Sequence, residues 1–210
     1  MARTLDIRKT PISPQPPNQE AVRTRILDQA AHLFLTIGYA ETTVRRIAGA
    51  VGIKAASLYH HFGSKDEVFE SILIRGIEVM VESFDIAKST SKSLAAKEQL
   101  RLHIRAHLGA LFEHGPYTAV HVSSFHFAPP IVKEQIVPIR DGYEALWTSL
   151  LNELNTKDQM SVPTSVALHR LILFGAMNSS IEWFDPNGDY SLDSLANAIT
   201  DQFWEGVSSK

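Results

Sequence analysis

The feature that most limits what this chain can fold into is a 3.6-residue apolar period running through segment after segment, with no sustained two-residue alternation. From Glu20 to Ile37 the apolar residues Val22, Ile26, Ala30, Leu33, Phe34 and Ile37 share one helical stripe, and Gly38 supplies the stop. Thr42-Thr43 offers a cap for a short helix from Val44 to Val51, which Gly52 ends; a third short helix follows from about Lys54 to His61. Ser64 caps a long fourth helix, with Asp66 and Glu67 in the first turn where negative charge suits the helix dipole. Further helices are predicted over 92–114, 117–127, 131–155 (broken near Pro138), 162–184 and 191–207, with breaks at Gly115-Pro116, Pro129-Pro130, Pro163 and "DPNGD" at 185–189. The expected fold is all-α, with about nine helices.

Among the 210 residues there is no cysteine, which excludes disulfides, thiolate metal sites and a thiol nucleophile. No apolar signal core opens the chain, and no run approaches the roughly 18 apolar residues of a membrane span. The cytoplasm is the expected compartment. The net charge of −3 hides an asymmetry: residues 1–65 hold nine Lys/Arg against four Asp/Glu, and the remainder eleven against nineteen. A basic end on an acidic body suggests that only the first part meets a polyanion. Residues 1–18, with four prolines and no apolar period, are expected to be a disordered basic arm, whose Arg3, Arg8 and Lys9 could reach a minor groove.

In "TTVRRIAGAVGIKAASLYHHF" (42–62) spacing matters more than composition. Ala48 is small where a second helix must cross closely, and Gly52 can take the positive φ of a tight turn. Ile47, Val51, Ile53 and Leu58 face inward and lock two short helices into a helix-turn-helix. In that motif the second helix enters the DNA major groove. Ala55, Ala56 and Ser57 are then small so that the helix can sit deep in a groove about 12 Å wide. Tyr59, His60 and Lys65 can reach flanking phosphates, while Leu58 and Phe62 anchor the helix to its own domain. Arg45 and Arg46 stand in the first turn of the second helix, where positive charge opposes the dipole by roughly 0.3–1 kcal/mol each. A nearby phosphate would offset that penalty; the plain alternative is that both are solvated.

With "LFLTIGY" before it and "GSKDEVF" after it, this stretch resembles the DNA-binding domain of TetR-family transcriptional regulators, over roughly residues 20–80. The resemblance implies an all-helical homodimer: an N-terminal three-helix helix-turn-helix domain, then a divergent C-terminal domain whose small-molecule effector releases the protein from a palindromic operator. It implies that Thr43, Tyr59 and Lys65 hold phosphates, and that Lys54, Ala55, Ala56, Ser57 and His60 face base edges. Thr42, Arg45 and Arg46 complete the expected duplex-contacting set. The domains implied are the arm 1–18, a DNA-binding domain 19–66 with its motif at 43–62, and a ligand-binding and dimerisation domain 67–210. Two positions depart from the pattern. Lys54-Ala55 stands where a serine then a lysine are common, so the third helix lacks its usual cap. Arg46 stands where an acid is common, and base preference does not carry over.

The second half carries fewer signals. Wound as a helix, residues 100–112 place Leu100, Ile104, Leu108, Leu111 and Phe112 on one face, with His107 inside it and His103 at its edge. His103, His107, Tyr117, His121, Phe125, Trp147 and Asn178 form the expected effector-binding set, as polar lining and aromatic walls of an apolar cavity. Each could equally be ordinary core, and a buried Asn178 needs a partner, whether ligand or neighbour. Histidines at i and i+4 can share a metal ion, but no acid falls at a telling spacing, so neither metal nor cofactor is expected. "IEWFDPNGDYSLDSLA" (181–196) resembles the turn before the last helix in regulators of lipid and steroid breakdown, which implies an acyl-coenzyme A or other apolar metabolite as effector. The last two helices have apolar residues on more than one face, with Gly175, Ala176, Ser179 and Ser180 permitting close approach. In the family such helices pair across a twofold axis. Two alternatives stand: a dimeric ligand-binding module that has lost DNA binding, or an enzyme using the histidines. The second lacks a Gly-rich nucleotide loop, a G-x-S-x-G elbow and an H-E-x-x-H pair, and no enzyme is expected.

Overall fold

Most helices begin or end where the sequence supplies a chemical reason. The computed structural model describes residues 19–156 and 165–207; among them are nine α-helices and no strand. The expected basic arm lies outside these residues. Helix α1 (Gln19–Glu41) is interrupted at Gly38, whose φ of 81° and ψ of 163° suit glycine alone. The Thr42 hydroxyl donates to the Gly38 carbonyl at 2.8 Å and secures the break. In α2 (Val44–Val51) the Thr43 side chain accepts from the Arg46 N–H, and Gly52 closes the helix at φ 77°. Helix α3 (Ala55–Tyr59) starts at Lys54 with no side-chain cap, as the departure at that position predicts. Helix α4 (Lys65–Ser91) is capped twice over: Ser64 Oγ accepts from the Glu67 N–H at 3.1 Å, and the Glu67 carboxylate accepts from the Gly63 N–H at 2.7 Å.

Next come α5 (Ala96–Phe112), α6 (Tyr117–Ser124) with a 3₁₀ turn at Phe125–Phe127, and α7 (Pro130–Thr156). Helix α8 (Val166–Ser179) runs into a 3₁₀ turn, Ser180–Glu182, before α9 (Leu192–Val207). One expectation fails: Pro138 does not break α7, which is continuous through it. A proline removes one helical hydrogen bond. Here Val132 and Ile136 before it, and Tyr143, Trp147, Leu150, Leu151 and Leu154 after it, are all buried, so side-chain packing holds the helix across the gap.

One hydrophobic cluster runs the length of the molecule. At one end Ile26, Ala30 and Phe34 of α1 bury against Ile47, Val51, Leu58 and Phe62, and α4 closes that core with Val68, Phe69 and Ile72. Two arginines of α1 clamp it from outside. Arg25 donates to the Val51 carbonyl at 2.8 Å; Arg23 donates to the His61 carbonyl at 2.7 Å and lies 3.9 Å over the Phe62 ring. The lower half of α4 then supplies Ile77, Met80 and Phe84 to a second core with Leu100, Ile104, Leu108 and Trp147. Helix α6 crosses α4 at Gly76, where a Cβ would lie 2.7 Å from the Tyr117 carbonyl oxygen and 3.0 Å from His121 Cβ. Thr118 fixes the crossing by donating to the Gly76 carbonyl at 3.1 Å, and the Tyr117 phenol reaches over to donate to Asp28 of α1.

The closeness of that crossing predicts opposite outcomes for two glycines. Gly76→Ala should cost about 1–3 kcal/mol, since the new methyl meets backbone that cannot yield. The corresponding fall in Tm is roughly 2–4 °C per kcal/mol for a chain of this size. Gly142→Ala, within α7 and with nothing near its would-be Cβ, should leave stability unchanged or raise it. Thermal melts followed by circular dichroism compare the two.

Candidate functional site

The turn between α2 and α3 is built by its backbone. The Gly52 N–H donates to the Gly49 carbonyl at 3.1 Å and the Ile53 N–H to the Ala48 carbonyl at 3.0 Å, both possible because Gly52 is left-handed. Ile47, Ala48, Val51 and Leu58 are buried behind it. In front, Thr43, Arg45, Arg46, Lys54, Ala56, Tyr59 and His60 are exposed, with Ala55 and Ser57 half-buried among them. Tyr59 stands 55% exposed, a large phenol projecting from a five-residue helix. Arg46 Nη1 donates to the Glu41 carbonyl at 3.2 Å, tying α2 to the end of α1.

Two expected duplex contacts have other duties. Thr42 is fully buried, its hydroxyl committed to Gly38, so it cannot reach a duplex. Lys65 is half-buried; its ammonium donates to the Tyr39 carbonyl at 2.9 Å and sits 4.0 Å over the Tyr39 ring. The Tyr39 phenol in turn donates to Asp66, and its pKa is raised by burial and by that carboxylate.

Between α4, α5, α6, α7 and α8 lies a cavity of about 260 Å³. Four expected residues meet there: His107, His121, Phe125 and Asn178. The other three do not line it. His103 and Trp147 are buried against Phe84, with His103 Nδ1 2.7 Å from the Gln99 carbonyl. Tyr117 is turned toward α1, its phenol held by Asp28. Residues not foreseen complete the wall: Met80, Val122, Arg140, Tyr143, Glu144, Leu171 and Phe174. The four-residue interval of Arg140 and Glu144 was the one local signal for the charged part.

The inner part of the wall is closed on itself. His107 Nε2 lies 2.9 Å from Asn178 Oδ1, and Nδ1 lies 2.8 Å from the Tyr143 hydroxyl. A carbonyl oxygen only accepts, so Nε2 carries the hydrogen and Nδ1 accepts from the phenol. Burial pushes the His107 pKa down to about 4, which keeps the ring neutral, and burial raises that of Tyr143. Asn178 has found its partner within the protein.

The outer part is not closed. His121 is 4% exposed and stacks on Phe125 at 5.6 Å, while its Nδ1 has no hydrogen-bond partner among the described residues. Its pKa is also pushed down to about 4, by burial first and then by the charge of Arg140. Arg140 lies over the Phe125 ring, its Nε 3.5 Å from Glu144 Oε1. Glu144 Oε2 is taken by Arg170 at 2.7 Å.

A third surface is apolar and open. On α8 and the turn after it, Leu168, Leu171, Ile172 and Trp183 are each about half exposed or more. A groove of about 620 Å³ runs between α8 and α9, walled by Ile172, Ala176, Trp183, Ile199 and Phe203. A continuous apolar stripe of this kind marks an interaction surface. Among the described residues no three His, Asp or Glu are placed to hold a metal, and no helix is long and apolar enough to cross a membrane.

Residues 93–207 match the family model described as tetracyclin repressor-like, C-terminal domain, and residues 26–72 that of bacterial regulatory proteins of the tetR family. Over 192 residues the chain is 28% identical to the HTH-type transcriptional repressor KstR2 of Rhodococcus jostii (strain RHA1), covering 89% of this chain and 91% of that one. The TetR family transcriptional regulator PfmR of Thermus thermophilus superposes with a TM-score of 0.74 at 29% identity, over 86% of this chain and 97% of that one. AibR, solved in complex with isovaleryl coenzyme A and operator DNA, shares the fold with a TM-score of 0.76 at 18% identity, over 86% and 97%.

The buried histidines give the molecule a pH signature. His107 and His121 stay neutral in the folded chain down to about pH 4, while their ordinary pKa is 6.5. Between those values the unfolded chain binds more protons, so stability rises with pH through the window and is lost as pH falls from 6.5 toward 4. Urea titrations at pH 7, 5.5 and 4.5 should show that His121→Gln loses less stability over this range than the parent; equal losses would contradict the assignment.

Proposed function

The chain belongs to the TetR family of bacterial regulators and is a DNA-binding transcriptional regulator; we propose that it acts as a homodimeric repressor, released from a palindromic operator when a small apolar effector enters the α4–α8 cavity. The observation that carries the DNA-reading role is the exposed face of α2 and α3, where small residues on α3 are flanked by Tyr59, Lys54, Arg45 and Arg46 while every large apolar side chain faces inward. Such a face lets the α3 backbone approach base edges, with phosphate contacts on either side. The DNA-binding unit is read as residues 19–66 with its motif at 43–62, and the effector-binding and dimerisation unit as 67–210. The apolar groove of α8 and α9 is the surface on which the second copy packs. A twofold pair presents one α3 to each half of an inverted repeat. The chain acts by binding and not by catalysis.

Release follows from the α4–α6 joint. His121 lines the cavity and Tyr117 holds Asp28, and the two are one helical turn apart on α6, both against Gly76. With no slack at that crossing, an occupant that displaces His121 moves Tyr117 and with it α1, which carries α2 and α3. The effector must favour this displaced arrangement, and operator must weaken effector binding by the same factor. The effector is read as an apolar metabolite with an acyl chain, free or carried as a thioester.

Two substitutions test the reading. Tyr59→Ala should leave the melting curve unchanged and weaken binding to every duplex by about tenfold, the value of one charge-assisted hydrogen bond. It is read by fluorescence anisotropy across a salt series, and a change in base preference in place of a uniform loss would reassign the residue. Ile172→Asp should give monomers in sedimentation and lose more than about tenfold in operator affinity through the lost second half-site. A dimer with unaltered affinity would place the interface elsewhere.

A further inference from the structure

We infer that the effector is a compact apolar hydroxy acid, with its carboxylate on Arg140, its hydroxyl on His121 Nδ1 and its hydrocarbon between Phe125 and Phe174. The inference rests on the reading of this cavity as the effector site and adds the chemistry of the molecule that fills it.

The first observation is a surplus of charge. Among the described residues Glu144 is the one acid in the cavity wall. Arg170 takes its Oε2 at 2.7 Å and is itself held in place, Nη1 donating to Thr148 Oγ1 at 2.9 Å. That pair is neutral as a unit, with side chains only 17% and 20% exposed. Arg140 is left with a share of Glu144 at 3.5 Å, too poorly aligned to count as a hydrogen bond. Its guanidinium has five N–H donors and no acceptor, and its side chain, 35% exposed, lines the cavity. The group that completes such a site is an anion able to take two parallel N–H donors, for which a carboxylate has the geometry.

The second observation is independent of the first. His121 is buried, and its Nδ1 has no hydrogen-bond partner among the described residues. An imidazole nitrogen accepts in one tautomer and donates in the other, and a hydroxyl can answer either. A buried ring nitrogen left without a partner is unfavourable, and a ligand that supplies one gains by it. A ligand hydroxyl meets that need, and Arg140, which lies 4.9 Å over the same Phe125 ring on which His121 stacks, fixes where the anion of the same ligand lies. Acid and hydroxyl are therefore near neighbours on one molecule. His107 makes no such demand, because both its ring nitrogens already have partners in Tyr143 and Asn178.

Volume sets the size. A chamber of about 260 Å³ sits just under the roughly 300 Å³ at which drug-sized ligand sites begin. It has room for a short acid and not for a whole coenzyme A thioester. A hydroxyacyl group could reach the protein free or as that thioester, but only the free acid offers Arg140 a carboxylate.

The test is calorimetry with 3-hydroxyhexanoate, hexanoate, hexane-1,3-diol and 3-hydroxyhexanoyl-coenzyme A on the full-length protein. The hydroxy acid should bind at least tenfold more tightly than hexanoate, and the diol and thioester should bind more weakly still. Arg140→Gln should lose at least tenfold in affinity for the hydroxy acid, Arg140→Lys should restore part of it, and His121→Leu should bind hydroxy acid and hexanoate alike. Diol binding as tight as the acid, hydroxy-acid binding unchanged in Arg140→Gln, or no acid binding at millimolar concentration would overturn the inference. Binding of the thioester alone would also overturn it, yet leave the regulator reading intact; that reading is tested separately by duplex binding of the parent protein.

Discussion

The crossing of α4 by α6 at Gly76 is the contact on which the rest of the molecule turns. Only a residue without a side chain lets the Tyr117 carbonyl come within van der Waals reach of α4, and Thr118 then pins the two helices through the Gly76 carbonyl. Because α4 begins in one core with Val68, Phe69 and Ile72 and ends in another with Met80 and Phe84, this joint fixes the two cores relative to one another. Interiors packed at this density do not deform smoothly; they move between discrete arrangements. The Tyr117–Asp28 bond extends the joint to α1. Under the proposed mechanism α3 therefore cannot shift without a change at the cavity wall, nor the cavity wall without a change at α3.

The cavity has two polar parts that obey different rules. His107, Tyr143 and Asn178 form a chain in which both imidazole nitrogens are partnered, and burial keeps the imidazole neutral. Such a chain rigidifies a core and asks nothing of a ligand. His121 and Arg140 are open by comparison, one with a buried ring nitrogen lacking a partner among the described residues, the other a cation with a fraction of a carboxylate. The proposed effector is the molecule that closes this second part as the first is already closed.

What could be read in the sequence was whatever depends on neighbours along the chain. The Thr43 and Ser64 caps, the left-handed Gly52 and the uncapped start of α3 are all set by residues within four positions, and each is found where the spacing puts it. His107 was legible as inward-facing because its helix has a clean apolar stripe. Thr42 and Lys65 were not legible as structural residues, since their partners, Gly38 and the Tyr39 carbonyl, depend on how α1 ends and turns. Pro138 reads as a break because the rule counts hydrogen bonds and not the buried residues on both sides of it. The Arg140–Glu144–Arg170 cluster joins positions 26 residues apart on two helices, and no local pattern reports the register of α7 against α8.

If the joint at Gly76 holds both α3 helices of a symmetric pair at one separation, the duplex they choose must show it. Selection from random double-stranded DNA with the full-length protein, followed by sequencing, measures this directly. The account predicts inverted repeats with a single fixed spacing, half-site centres one helical turn apart (about 34–36 Å) or a whole multiple of it. Enrichment of lone half-sites, of repeats with freely varying spacing, or of no duplex at all would contradict it.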